Sequence, residues 1–114
     1  MKLPGALQRA AQAALGKKAS DVVVLDLRRV SSFTDHFLLA CGSSQKQLVA
    51  IADAILDALR AEQLRPEHLE GYPRQEWILL DYGSFVVHVF TPRTRSFYDL
   101  ERLWGGAARM ELGA

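Results

Sequence analysis

The sequence predicts an α/β protein, a mixed β-sheet with helices packed on it, and three features support that prediction. An apolar, β-branched run covers residues 22–27, a helical repeat of apolar side chains covers 48–59, and two apolar segments flank Gly83-Ser84. Strand-type and helix-type segments that alternate along a chain favour a layered α/β fold. With 114 residues and 49% hydrophobic content, we expect one domain spanning 1–114, with its core at about 6–104.

The N-terminal segment predicts a short helix. Leu7, Ala10 and Ala14 recur at helical spacing after Pro4, and the pattern ends at Gly16. Two lysines follow this end, where positive charge is favoured because the helix dipole is negative there.

Two strands joined by a turn come next. Val22–Leu27 is apolar except for Asp26, which is typical of a strand that is covered on both faces and central in a sheet. Four side chains that bond their own backbone then favour a turn: Ser31, Ser32, Thr34 and Asp35. Phe37–Cys41 is the second strand, so the pair forms a hairpin with a long loop.

The longest helix opens at Gly42-Ser43-Ser44, where Ser44 and Gln47 have the spacing of a capping box. Its apolar positions repeat every three or four residues: Leu48, Ile51, Ala52, Ile55, Leu56 and Leu59. One stripe of this helix should therefore pack on the sheet. Residues 64–74 contain two prolines and Gly71, and predict a connection with a short edge strand around His68–Glu70.

A second hairpin is predicted around Gly83-Ser84, because a two-residue turn with glycine first suits the positive φ of that position. The register then pairs Trp77–Tyr82 with Phe85–Phe90, and side chains alternate between two faces. One face carries six apolar side chains and should be core: Ile78, Leu80, Tyr82, Phe85, Val87 and Val89.

The other face of this hairpin is mixed. It pairs Trp77 with Phe90, Leu79 with His88, and Asp81 with Val86. Aromatic and aliphatic groups with one carboxylate and one imidazole are expected of an interaction surface. An alternative stays open, in which the final helix covers this face and Trp77 and His88 are packing residues.

The final helix is predicted to begin with Thr91 as N-cap and Pro92 at the first helical position, and to end at Gly105-Gly106. Four of its side chains recur at helical spacing and should pack: Phe97, Leu100, Leu103 and Trp104. Tyr98, Glu101 and Arg102 lie towards another side, and Tyr98 and Glu101 are the better interface candidates. Residues 105–114 are expected to form a frayed tail.

The charges nearly cancel, at +1 overall, which argues against direct nucleic-acid binding through many phosphate contacts. Residues 1–60 hold 8 Lys/Arg and 5 Asp/Glu (+3), and residues 61–114 hold 6 and 8 (−2). In the second half, four acidic side chains face only Arg74: Glu67, Glu70, Glu76 and Asp81. This acidic patch would suit a basic protein partner, or it is an ordinary solvated loop.

The single cysteine, Cys41, lies in an apolar run, which predicts a buried structural thiol and fits a reducing compartment. No apolar run approaches the ~20 residues that span a bilayer, and the N-terminus lacks a cleavage site, so we expect a cytoplasmic protein without membrane contact.

Five separate motifs occur in order along the chain. They are S-S-x-T-D at 31–35, G-x-S at 42–44, W-x-x-x-D-x-G at 77–83, H-V-F at 88–90 and R-x-F-Y-x-L-E-x-L-W at 95–104. On these motifs, residues 6–104 resemble the ribosomal silencing factor family, also called the Iojap family. The resemblance implies a nucleotidyltransferase-like fold without the catalytic carboxylates. It also implies a factor that docks on ribosomal protein L fourteen of the large ribosomal subunit and blocks joining of the small subunit, and a homodimer when free.

We therefore expect a translation repressor that acts by steric occlusion and needs no cofactor. The expected partner-binding residues are Trp77, Asp81, His88, Tyr98, Glu101 and Trp104. The alternative is a nucleotide-binding module or weak nucleotidyltransferase, because Gly42-Ser43 opens a helix after a strand, as phosphate-binding segments do. Transfer chemistry also needs paired carboxylates to hold divalent metal, and the chain has Ser44-Gln45-Lys46 there instead. No catalytic residue is assigned, and the three histidines lack the spacing of a zinc site.

Overall fold

A computed structural model describes residues 3–112, which form a six-stranded mixed sheet with helices on both faces. The elements in chain order are α1 (Gly5–Gly16), β1 (Ser20–Asp26), β2 (His36–Cys41), α2 (Gln45–Arg60), β3 (His68–Glu70), β4 (Trp77–Asp81), β5 (Phe85–Phe90), α3 (Pro92–Tyr98), α4 (Leu100–Leu103) and β6 (Ala108–Glu111). The strand order is β3-β4-β5-β2-β1-β6, with β2 and β5 parallel and every other pair antiparallel. The predicted mixed α/β sheet is confirmed.

The first hairpin forms as predicted, because its turn supplies its own hydrogen bonds. The Ser31 Oγ accepts from the Phe33 N–H at 3.2 Å, and the Leu27 N–H donates to the Asp35 carbonyl at 2.8 Å. The Thr34 hydroxyl donates to the Gly83 carbonyl at 2.9 Å, which ties this turn to the second hairpin. β1 is paired on both sides, by β2 and β6, and is therefore an interior strand.

The predicted cap of α2 is confirmed. The Ser44 Oγ accepts from the Gln47 N–H at 3.1 Å, and the Gln47 Oε1 accepts from the Ser43 N–H at 2.7 Å. The Gln47 amide also donates to the carbonyls of Lys17 and Lys18 at 3.2 and 3.1 Å. The start of α2 is thus joined to the connection between α1 and β1, which places the two helices side by side on one face of the sheet.

The second hairpin has the predicted register. The Tyr82 N–H donates to the Phe85 carbonyl at 2.9 Å, and the strands pair from Trp77 with Phe90 to Asp81 with Val86. Gly83 adopts a φ of 84°, the left-handed conformation that a turn with glycine first requires. The apolar face packs against α2 within the main core.

The registers align side chains in rows across the sheet. On the face covered by α1 and α2, one row is fully buried: Leu80, Val87, Leu38 and Val24. On the second face, the adjacent row is Glu70, Leu79, His88, Leu39 and Val23. The second face carries a separate apolar cluster around Phe37 and Phe90.

The connection between α2 and β4 contains the predicted edge strand, β3. Beyond it, Gly71 has a φ of 77°, and the Tyr72-Pro73 peptide bond is cis. The Tyr72 hydroxyl donates to the Asp53 carboxylate at 2.7 Å, and Gln45 donates to the Pro73 carbonyl at 2.8 Å. Both bonds attach this connection to α2.

The prediction of one continuous final helix is wrong. The predicted start of this helix is correct, since the Thr91 Oγ1 accepts from the Thr94 N–H at 3.3 Å. Asp99, however, has a φ of 47° and separates α3 from α4. Phe97 and Leu103 were expected to pack, but they are 80% and 71% exposed because the break changes the direction of their side chains.

The predicted frayed tail is also wrong for residues 108–111. They form β6, which pairs antiparallel with β1 from Asp26–Ala108 to Val23–Glu111. Met110 and Leu112 pack against the main core, so burial of apolar surface orders this segment. Residues 113 and 114, for which fraying was also expected, lie outside the described residues. Within residues 3–112, no helix has the length and apolar character to cross a membrane.

Candidate functional site

The second face of the sheet is only partly covered by the short helices α3 and α4. Leu100 and Trp104 pack on its apolar cluster, where the Trp104 ring lies 6.0 Å from Phe37 and 5.9 Å from Phe33. The open alternative, in which the final segment covers this face, therefore holds for the half beneath Trp104. The other half, beneath α3, is bordered by aromatic side chains that are exposed.

An aromatic row, defined here as Phe97, Tyr98, Trp77, His88 and Phe37, crosses this face. The ring centroids of Phe97 and Tyr98 are 5.0 Å apart, and those of Tyr98 and Trp77 are 4.6 Å apart. His88 and Phe37 meet edge to face at 4.5 Å. The row runs from a buried end at Phe37 to an exposed end, where Tyr98 is 52% exposed and Phe97 is 80% exposed.

His88 holds the Trp77 indole in place. The Trp77 Nε1–H donates to the His88 Nδ1 at 3.0 Å, so the neutral ring carries its proton on Nε2. Burial lowers the pKa of His88 to about 3, which keeps the ring neutral at pH 7. The sequence prediction placed His88 on an exposed interaction surface, but the structure buries it, because Phe37 and Trp77 pack on it.

Asp81 stabilises the hairpin turn. Its Oδ1 accepts from the Gly83 N–H at 2.8 Å, and its Oδ2 lies 3.1 Å from the His68 Nδ1. The acidic patch expected around it is partly neutralised, since Glu76 pairs with Arg93 at 3.4 Å. The expectation that these acids face only Arg74 is therefore wrong, because strand pairing and the Thr91 turn bring His68 and Arg93 beside them.

Glu101 lies in an ion network and is not a free contact residue. The Arg95 Nε donates to its Oε1 at 2.9 Å, and Arg109 of β6 bonds its other oxygen. Arg95 is itself buried and donates to the Cys41 sulfur at 3.3 Å. The hydrogen bond from Arg95 lowers the pKa of Glu101 to about 2. The network joins α3, α4 and β6 to the sheet.

Cys41 is buried, as predicted, and burial raises the pKa of its thiol.

The depressed pKa of Glu101 predicts acid sensitivity. Because the folded pKa, about 2, lies below the ordinary 4.5, the carboxylate stabilises the fold above pH 4.5, and this contribution is lost as the pH falls towards 2. The melting temperature of wild type should exceed that of Glu101→Gln at pH 6, and the gap should narrow progressively as the pH falls from 4.5 towards 2. A gap that stays constant over this range would show that the network does not depend on the charge of Glu101.

The exposed part of the site consists of Tyr98 and Phe97, with Arg74 and Arg93 beside them. An open groove between α3 and the segment before β4 is lined by Gln75, Trp77, Thr94 and these neighbours. The sequence identified Tyr98 but assigned Phe97 and Leu103 to the core. Asp99 was the one residue in the sequence that could have indicated the break between α3 and α4, because aspartate tolerates the left-handed conformation better than most residues.

The start of α2 offers less to a phosphate than its sequence suggests. The Ser43 N–H, which an anion would use, already donates to Gln47. Asp26, the nearest strand carboxylate in sequence, pairs with Arg28 at 2.7 Å, and this pairing lowers the pKa of Asp26 to about 2. Across residues 3–112 no cluster of three or more His, Cys, Asp or Glu side chains has the arrangement of a metal site.

Comparison with known proteins identifies proteins that are similar to this chain. A family model described as "Ribosomal silencing factor during starvation" matches residues 1–114. Proteins named Ribosomal silencing factor RsfS from Halalkalibacterium halodurans and Bacillus subtilis are 42% and 41% identical over 106 residues, which is 93% of this chain and 91% and 90% of theirs. A crystal structure of a protein from Chromobacterium violaceum is 31% identical, with a TM-score of 0.87 over 100% of this chain and 95% of that one.

Proposed function

The chain belongs to the ribosomal silencing factor family, and from that membership we propose that it binds the large ribosomal subunit and blocks association with the small subunit. The proposed contact is ribosomal protein L fourteen, and the proposed outcome is repression of translation in the cytoplasm. Occlusion of this kind requires a rigid, complementary surface and no bond-making chemistry.

The observation that carries the proposal is the exposed end of the aromatic row. Tyr98 and Phe97 are more than half exposed, while Trp77 beneath Tyr98 is fixed by its hydrogen bond to His88. Aromatic anchors on a rigid base are typical of the residues that dominate protein interfaces, because they bury a large area at a small cost in side-chain entropy. The proposed docking surface, defined as Trp77, Phe97 and Tyr98, has this character.

Charge supports a protein partner over rRNA. The net charge of +1 gives little long-range attraction to phosphates, whose neutralisation dominates nucleic-acid affinity. Glu70 is exposed and forms no ion pair within residues 3–112, and Asp81 lies near it at the edge of the sheet. These carboxylates would favour a basic ribosomal protein.

We propose that the chain acts without a cofactor and without catalysis, on a nucleotidyltransferase-like scaffold. The hydrogen bonds of Gln47 support this proposal, because they engage the backbone N–H and the hydroxyl of Ser43, two donors that a phosphate at this helix start would use. We also propose that the free protein forms a homodimer.

Co-sedimentation with purified subunits tests the ribosomal proposal. Wild type should pellet with large subunits and not with small subunits, and it should lower the yield of joined ribosomes. Tyr98→Ala should weaken binding by about 2 kcal/mol, roughly thirtyfold, with little change in melting temperature, because the side chain is an exposed anchor. Tyr72→Ala, which removes a partly exposed tyrosine bonded to α2, is the matched control and should bind as wild type does.

Two results would contradict the proposal. Equal binding of wild type to both subunits, or normal subunit joining at saturating protein, would reject occlusion. If wild type binds large subunits and Tyr98→Ala binds equally well, the docking surface lies elsewhere on the molecule.

A further inference from the structure

One end of the sheet carries exposed cations from four different segments. The strand registers place four terminal residues in one row across the sheet: Ser20, Cys41, Phe90 and Trp77. The segment before β1, the start of α2 after β2, the segment before β4 and the start of α3 after β5 therefore lie at the same end. Each of them contributes exposed basic side chains, in this order: Lys17 and Lys18, Lys46, Arg74, and Arg93.

Hydrogen bonds hold three of these segments together around the start of α2. The Gln47 amide donates to the carbonyls of Lys17 and Lys18 at 3.2 and 3.1 Å. The Gln45 amide donates to the Pro73 carbonyl at 2.8 Å, and Lys46 lies between the two glutamines. The basic surface, defined as Lys17, Lys18, Lys46 and Arg74, is therefore built on segments that are bonded to one another.

The charge of the chain is separated along the strands. Within residues 3–112, no member of the basic surface forms an ion pair, whereas Arg93 pairs with Glu76. Five cations at this end, with Arg93 included, thus face three nearby acids: Asp21, Asp53 and Glu76. At the opposite end four acids, Asp26, Asp35, Glu67 and Asp81, face two arginines, Arg28 and Arg29. The net charge of +1 conceals this polarity.

We propose that the basic surface binds the phosphate backbone of structured RNA, beside the protein that the docking surface contacts. This inference rests on the proposed function and adds ribosomal RNA as a second partner of the same complex. Arg74 and Arg93 line the groove next to Trp77 and Tyr98, so the basic surface adjoins the docking surface. A ribosomal protein is embedded in RNA, and a factor that docks on such a protein therefore meets phosphates at the border of the contact.

Four phosphate contacts supplement the aromatic anchors and do not replace them. Release of counterions from about four phosphates gives a slope of roughly −3 to −4 when the logarithm of the association constant is plotted against that of the salt concentration. Proteins whose affinity depends mainly on phosphates make more contacts than this, which agrees with the low net charge. Phosphate contacts fix orientation and carry no sequence information, so the basic surface orients the factor on the subunit.

Reversal of one charge, compared across three binding partners, tests the proposal. Lys46→Glu should retain the fold, because an acidic side chain is favoured in the first turn of a helix. At about 0.1 M salt it should bind purified large subunits about tenfold more weakly than wild type, with a salt slope smaller by about one. Its affinity for isolated L fourteen should be unchanged. Deproteinised large-subunit rRNA at about 20 mM salt, where a four-phosphate contact is strong enough to measure, should show the same loss.

Arg29→Glu is the matched control. It makes the same charge change at an exposed arginine of the turn between β1 and β2, at the opposite end of the sheet, and Arg29 forms no ion pair within residues 3–112. This variant should bind large subunits, L fourteen and rRNA as wild type does.

The outcomes separate this inference from the ribosomal proposal. If Lys46→Glu binds large subunits and rRNA as tightly as wild type, the basic surface contacts no phosphate. An equal loss of affinity for isolated L fourteen would show that the surface faces an acidic segment of a protein instead of RNA. Wild type that binds neither L fourteen nor large subunits would reject the proposed function, and the inference that depends on it would be rejected as well.

Discussion

Replacement of Gly71 by alanine should lower the free energy of unfolding by about 3–5 kcal/mol. Gly71 has a φ of 77°, where side chains are strained, and an added Cβ would lie 2.0 Å from the Trp77 carbonyl oxygen. That atom belongs to the backbone of β4, so the strand itself would have to shift. Urea denaturation monitored by Trp fluorescence measures the loss.

Gly16→Ala is the matched control for this substitution. An added Cβ at Gly16, the last residue of α1, meets no atom within 4 Å. We expect no loss, or a gain of at most about 1 kcal/mol from reduced entropy of the unfolded chain. If Gly71→Ala proved as mild as Gly16→Ala, the connection before β4 would have to be mobile enough to accommodate a Cβ.

Leu80→Ala should destabilise the protein by about 2–5 kcal/mol, because it deletes a fully buried side chain and leaves a cavity. Leu80 lies in the buried row with Val87, on the face that α1 and α2 cover. Chemical denaturation with an unchanged m-value is the measurement.

Leu69→Ala provides the comparison for Leu80. Leu69 is paired with Leu80 and lies on the same face, but β3 is an edge strand and this side chain is 42% exposed. Its loss should cost less than about 1 kcal/mol, in proportion to the smaller area that it buries. Equal costs at the two positions would contradict the exposed position of Leu69 on the edge strand β3.

The second hairpin shows where sequence reasoning succeeds. Alternating apolar residues and Gly83 determined the register, because a slip of one residue would turn every apolar side chain to the opposite face. The cap of α2 was predictable for a similar reason, since Ser44 and Gln47 interact over four residues of chain. Local patterns of this kind are predictable because residues that are close in sequence determine the backbone geometry.

The final helix shows where the same reasoning fails. Thr91 and Pro92 marked its start correctly, but one left-handed residue, Asp99, interrupts the helical spacing. The extrapolated positions of Phe97 and Leu103 were therefore wrong, and so was the exclusion of Phe97 from the candidate surface. No proline or glycine marks this break in the sequence.

Long-range pairing was the least predictable feature. β6 has only four residues and pairs with β1 from the other end of the chain, so nothing within its own segment distinguishes it from a tail. The burial of His88 likewise depends on Phe37, a residue of another strand. For the candidate site, Trp77 and Tyr98 could be identified from the sequence, whereas the fold determined which of the two is exposed.

The position of β6 beside β1 has a consequence during synthesis. At ~5–20 residues per second, a ribosome needs roughly 4–16 s to translate from the end of β1 to the start of β6. Throughout that interval one edge of β1 remains unpaired in the nascent chain. This strand contains the apolar run Val22–Leu25, the kind of segment that aggregates when its edge is open. Slow or interrupted elongation near the 3′ end of the message should therefore favour aggregation through β1.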